Sequence, residues 1–154
     1  MPSGRAGEAE EERTILVSGN VPTSSSLYGV HQDRQRYATN LAPHRIEKTI
    51  QLKPLDAIAD HAPPYLLKLD VEGGELPALR GAVNTLRKTQ MVIAELSIMR
   101  RYEGEGSFAE VIAFMQANRF RLFDIPQLDQ LGTDGPLAYI DAAFVPETFP
   151  ETLA

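Results

Sequence analysis

The sequence predicts an α/β fold, a mostly parallel sheet whose last two strands form an antiparallel hairpin. Three observations carry this expectation. Residues 66–71 are a near-continuous apolar run, the pattern of a strand buried on both faces. Gly73 and Gly74 then let the backbone turn sharply, and Leu76, Leu79, Val83 and Leu86 recur at helical spacing, with Pro77 tolerated in the first turn. Residues 120–125 and 137–145 read as strands joined directly by a turn-rich loop, Thr133-Asp134-Gly135-Pro136, so they pair antiparallel.

Taken in order, residues 1–13 hold Gly4, Gly7 and four glutamates but little to bury, and are expected to form a disordered acidic tail. One domain is expected over residues 14–150, with a short tail at 151–154. Residues 14–18 suit a short strand, and 19–26 a loop containing Asn20, Pro22 and three serines. Residues 29–45 mix charges with aromatic and histidine side chains without a period and are read as irregular. Alternation at 46–52 predicts a strand with Ile46, Ile50 and Leu52 on one face. A short helix follows at 54–60, stopped by Pro63 and Pro64. Residues 91–96 read as a second buried strand. Ser107 and Glu110 form a capping box for a helix with Phe108, Val111, Ile112 and Met115 on its buried stripe, and Asn118 suits a left-handed helix end. The four strands at 66–71, 91–96, 137–145 and 120–125 should lie side by side in that order, because helices joining the earlier ones enforce parallel crossovers.

Composition narrows the function classes. The 154 residues are 43% hydrophobic and 23% charged, a globular balance. A net charge of −6 argues against a nucleic-acid partner, which needs a basic surface. Cysteine is absent, which excludes disulfides and cysteine zinc sites and fits a reducing cytoplasm. No apolar run reaches the ~18 residues of a membrane span, and residues 2–13 are too polar for a signal peptide. The expectation is a soluble cytoplasmic protein with no nucleic-acid or membrane partner.

The residues 66–75, ending in Asp70, Glu72 and Glu75, place three carboxylates at the carboxyl end of a strand, where open α/β sheets bind ligands. Leu67-Lys68-Leu69-Asp70-Val71-Glu72-Gly73, with Glu75, Leu79, Arg80, Gly81 and Ala82 after it, resembles the signature of the FkbM-type methyltransferases. The likeness continues through Val92-Ile93-Ala94-Glu95-Leu96-Ser97, Tyr102-Glu103-Gly104, residues 108–115, Phe120-Arg121-Leu122-Phe123-Asp124 and Asp141-Ala142-Ala143-Phe144-Val145. Upstream, Ser24-Ser25-Ser26-Leu27 resembles the family's serine-rich loop, so the match spans roughly residues 14–146.

The resemblance implies a Rossmann-like class I domain using S-adenosylmethionine, acting on a hydroxyl of a sugar or small metabolite. It also implies a first strand with a glycine-rich loop and a second strand with an acid for the ribose. Neither is recognisable here, and Gly104-Glu105-Gly106 sits in a loop before a helix. The chain therefore resembles the back half of such a domain, its first cofactor-binding strands missing, and binding of the cofactor by this chain alone is doubtful. The alternative is a non-catalytic remnant, serving as an interaction module or needing a partner chain. With no cofactor-binding strand beside it, the signature strand is an open edge, so residues 14–18 or 46–52 fold back along it or the protein dimerises through it.

Within that implied chemistry a base and alignment are what the protein supplies. Asp70 is the first choice of catalytic carboxylate, with Glu72 beside it; both are also candidates to face the cofactor's sulfonium, or simply to cap the following helix. Glu95 ends the next strand in the same crevice; otherwise it is a buried acid paired with a cation such as Lys68. Among His31, His44 and His61, only His31 lies near the serine loop and is kept as a candidate base. Ser25, Ser26, Lys68, Ser97 and Tyr102 are the candidate acceptor-binding residues. No spacing suggests a metal site, and Met91, Met99 and Met115 read as core filler.

Overall fold

Two sheets carry the chain, and a segment after the first strand touches the helices of the second sheet where a glycine leaves room for it. The computed structural model describes residues 4–18, 25–37, 45–131 and 134–150; Ser24, His44, Thr133 and residues 151–154, named above, lie outside them. The first sheet has the order β1-β3-β2. Strand β1 (Gly4–Ala6) runs parallel to β3 (Arg45–Lys53), and β2 (Glu11–Ser18) runs antiparallel to it. The expected acidic tail is thus corrected from residue 4 onward. These residues gain order from backbone pairing with β3, continued by Gly7 N–H to the Lys53 carbonyl at 3.0 Å, which apolar content does not reveal. On β3, Leu52 is buried but Ile46 is 63% exposed, so the expected apolar stripe is covered only at one end. A helix, α1 (Gln32–Tyr37), replaces the expected irregular stretch, started by a Gln35 side-chain bond back to the Val30 carbonyl.

The second sheet positions the site. After α2 (Leu55–Ile58), strands β4 (Tyr65–Leu69), β5 (Thr89–Ser97), β6 (Phe120–Gln130) and β7 (Leu137–Pro146) take the order β4-β5-β7-β6. β4 and β5 are parallel, while β7 is antiparallel to both neighbours. This is the expected order. Helical crossovers carry the chain from β4 to β5 and, through α5 (Phe108–Ala117), from β5 to β6, whereas a loop alone reverses it into β7. Leu69, Val92, Leu96, Ile140 and Phe144 on one sheet face pack on Leu76, Leu79, Leu86, Val111 and Met115. The capping box forms as expected, Glu110 N–H donating to Ser107 Oγ and the Glu110 carboxylate accepting from Ser107 N–H.

Three local expectations are corrected. Leu66 is 66% exposed, so β4 is not buried on both faces; the packed helices cover one. The helix after β4 is two helices, α3 (Glu75–Arg80) and α4 (Val83–Leu86). The break at Gly81 admits the Gly7 carbonyl, which a Cβ there would meet at 2.0 Å. Asp56 of α2 then caps α4, accepting from the amides of Asn84 (2.9 Å) and Thr85 (2.7 Å). At the end of α5, Asn118 keeps an ordinary φ of −96° and bonds the Phe114 carbonyl, and Arg119 takes the left-handed conformation at φ 64°. Nor does either of the strands at 14–18 and 46–52 fold beside β4, because they pair with each other. Among the described residues no helix is long and apolar enough to cross a membrane.

Candidate active site

The carboxyl ends of β4 and β5 lie side by side, with Leu69 paired to Ala94. Asp70 follows the first strand at once and Glu95 comes next after Ala94 on the second, so parallel pairing puts both acids at the same end of the sheet. Asp70 is exposed, and no described residue hydrogen-bonds its carboxylate. The expected capping role is not what holds it. The N-cap of α3 is Gly74 and takes no side-chain bond, so neither Asp70 nor Glu72 caps the helix. The carboxylate that turns back on this segment is Glu75, accepting from Val71 N–H at 3.0 Å. Glu75 is 6% exposed, and burial pushes its carboxyl up to about 7, against the bonds from its own and the Val71 amide.

The turn after β4 is built from two other segments. Glu72 and Gly73 take positive φ, 52° and 94°. Only glycine fits the second, since a Cβ there would lie 2.9 Å from the Tyr102 ring. The Tyr102 hydroxyl donates to the Glu72 carboxylate, and Ser26 Oγ donates to the Glu72 carbonyl at 2.6 Å. Tyr102 is 3% exposed; burial first, then its bond to Glu72, hold the phenol protonated far above neutrality. Ser25 and Ser26 are buried, Ser26 Oγ also accepting from Tyr28 N–H at 3.0 Å. The serine segment is stitched to the Tyr102 loop by Glu103 N–H to the Gly29 carbonyl (2.8 Å) and His31 N–H to the Arg101 carbonyl (2.9 Å).

Glu95 has a cation, and it is Arg101 rather than Lys68. Arg101 is 3% exposed; its guanidinium bonds the Glu95 carboxylate and, through Nε at 3.0 Å, Ser97 Oγ. Ser97 in turn donates to Glu105 at 2.7 Å, and Glu105 also accepts from Arg101 N–H. The guanidinium lies over the rings of Tyr139 (4.3 Å) and Tyr102 (5.5 Å). Burial raises the Glu95 carboxyl above its ordinary value and Arg101 works the other way. Lys68 instead reaches 3.9 Å from Asp141 on the open face of the sheet, its side chain 55% exposed.

The geometry therefore gathers Asp70, Glu72, Glu95, Ser26, Ser97 and Tyr102. It sets one candidate aside, His31, whose Nδ1 lies 3.2 Å from Asp33 and accepts that residue's amide. Lys68 shares the sheet face of Glu95, but its ammonium reaches Asp141, the residue opposite Glu95 on β7. Arg101 and Glu105 are the residues the sequence reading missed. Their signal was indirect, a strand-end acid in an apolar setting that needs a cation, with arginines five and six residues on. Among the described residues no three His, Cys, Asp or Glu side chains gather as a metal site. Compared with known proteins, the chain matches the family profile of the methyltransferase FkbM domain over residues 5–122. No curated protein and no solved structure matches it.

Proposed function

The chain belongs to the methyltransferase FkbM domain family, and from that premise we propose that it forms the acceptor side of an S-adenosylmethionine-dependent methyl transfer to a hydroxyl of a sugar or other small metabolite. The meeting of Asp70 and Glu95 at the carboxyl ends of neighbouring parallel strands supports the reading most. The family uses S-adenosylmethionine generally, but the donor set here fits only part of that molecule. Carboxylates suit its sulfonium and amino groups, yet Glu72 and Glu95 are already bonded to Tyr102 and Arg101. The Gly73 position, where a ligand could approach the backbone, is filled by the Tyr102 ring. The described residues therefore fit only the sulfonium and amino end of the cofactor.

The roles of this chain's own groups follow from what each has free. Asp70, exposed and unbonded, takes the proton of the acceptor hydroxyl. Glu72 holds the turn through Tyr102 and Ser26, keeping Asp70 at the strand end. Glu95, Arg101 and Ser97 form a rigid polar floor that orients the acceptor's other hydroxyls. The protein, assayed alone and together with a separately expressed glycine-rich segment of a family member, should pass label from methyl-labelled S-adenosylmethionine to one member of a panel of hydroxylated metabolites. Asp70→Asn should lower kcat about 10²- to 10⁴-fold with KM little changed. Full activity in Asp70→Asn removes that residue as base; no transfer to any acceptor with cofactor bound contradicts the reading.

A further inference from the structure

We propose that two copies of this chain pair through β4, antiparallel and centred on Leu69, so that Lys68 of each copy meets Asp70 of the other. β4 is the end strand of its sheet, with β5 on one side and no strand on the other among the described residues. The Tyr65 amide donates toward β5, to the Lys88 carbonyl at 3.0 Å. Backbone groups alternate sides along a strand, so those of Leu66 and Lys68 point to the open edge, a template for another strand, with Asp70 following directly. The other end of the sheet is protected. There β6 carries Asp124, Pro126 and three register shifts against β7, whereas the single shift in β4 lies at its start, between Tyr65 and Leu66.

The segment is its own complement. From 67 to 71 it runs apolar, cation, apolar, anion, apolar, which reads the same in the opposite direction with the charges exchanged. About Leu69, Leu67 faces the partner's Val71 on the helix-covered side, where both are partly buried. Lys68 faces the partner's Asp70, both exposed on this chain. Centring on Lys68 sets lysine against lysine, and centring on Leu67 sets Asp70 against Pro64, which has no amide to donate. The register about Leu69 satisfies both charges. It also sets a second cation beside the exposed Asp70, while Arg101 is bound to Glu95. A cofactor-binding strand, in the reading above, takes this same edge, so the two occupants exclude each other. The pairing itself does not depend on methyl transfer, and its readout is mass.

Sedimentation equilibrium of the purified protein across the micromolar range should show a species of twice the 17.0 kDa chain. Lys68→Asp and Asp70→Lys each set like charges opposite one another in both symmetry-related pairs, and should each weaken association about tenfold or more. The double variant Lys68→Asp/Asp70→Lys restores the complement and should associate as the wild type does. Circular dichroism checks that the variants fold. Where one does not, amide exchange on the wild type decides, the Lys68 and Asp70 amides slowing as concentration rises. A wild type that stays monomeric, a folded double variant as weak as the single ones, or exchange that ignores concentration overturns the proposal.

Discussion

Arg101 is the residue whose loss the site can least absorb. Its guanidinium and the Glu95 carboxylate are 4% and 14% exposed, so removing one leaves the other's charge uncompensated in a largely dry setting. Arg101→Met should cost about 3 kcal/mol, near the lower end for breaking a buried pair, read as a fall in the urea midpoint. Glu95→Gln in the same background should recover part of that loss, because the orphaned charge is then gone. Glu75 makes a prediction in pH. Its folded value, about 7, lies above its ordinary 4.5, so the folded state binds the proton more tightly than the unfolded. The sign follows: its contribution is full below about pH 4.5 and is lost as pH rises through about 7, by up to about 3 kcal/mol. Unfolding midpoints at pH 5 and pH 8 should show Glu75→Gln falling less than the wild type between the two.

At the scale of elements, what was legible in the sequence was what neighbouring residues decide. The Ser107–Glu110 capping box is a local hydrogen-bond exchange, and the order β4-β5-β7-β6 follows from which connections contain helices. What was not legible depends on distant partners. The break between α3 and α4 exists because the Gly7 carbonyl needs the space at Gly81, and β1 exists because β3 offers it a ladder. Leu66 looks buried in the sequence because an apolar run does not say whether its second face is covered. The site divides in the same way: Asp70 and Glu95 are readable as strand ends, whereas Arg101 is found only through the acid it pairs with. Two substitutions separate the local from the distant. Ser107→Ala should cost about 1 kcal/mol, one capping interaction. Gly81→Ala should cost more, since a Cβ 2.0 Å from the Gly7 carbonyl must push β1 away, with hydrogen exchange loosening first at residues 4–8.

For the whole molecule, the proposal to be tested is that this chain carries the acceptor side of a methyltransferase site and that its described residues do not by themselves hold the cofactor. Among the described residues Asp70 is the carboxylate left free to face the cofactor, Glu72 and Glu95 being bonded to Tyr102 and Arg101, and an exposed pair contributes roughly 0–1 kcal/mol. Micromolar affinity requires roughly 8 kcal/mol, which a single exposed carboxylate cannot supply. Titration calorimetry of the purified protein with S-adenosylmethionine tests this most directly. The account predicts no binding heat up to millimolar ligand, in the wild type and in Asp70→Asn alike; micromolar binding that disappears in Asp70→Asn would contradict it.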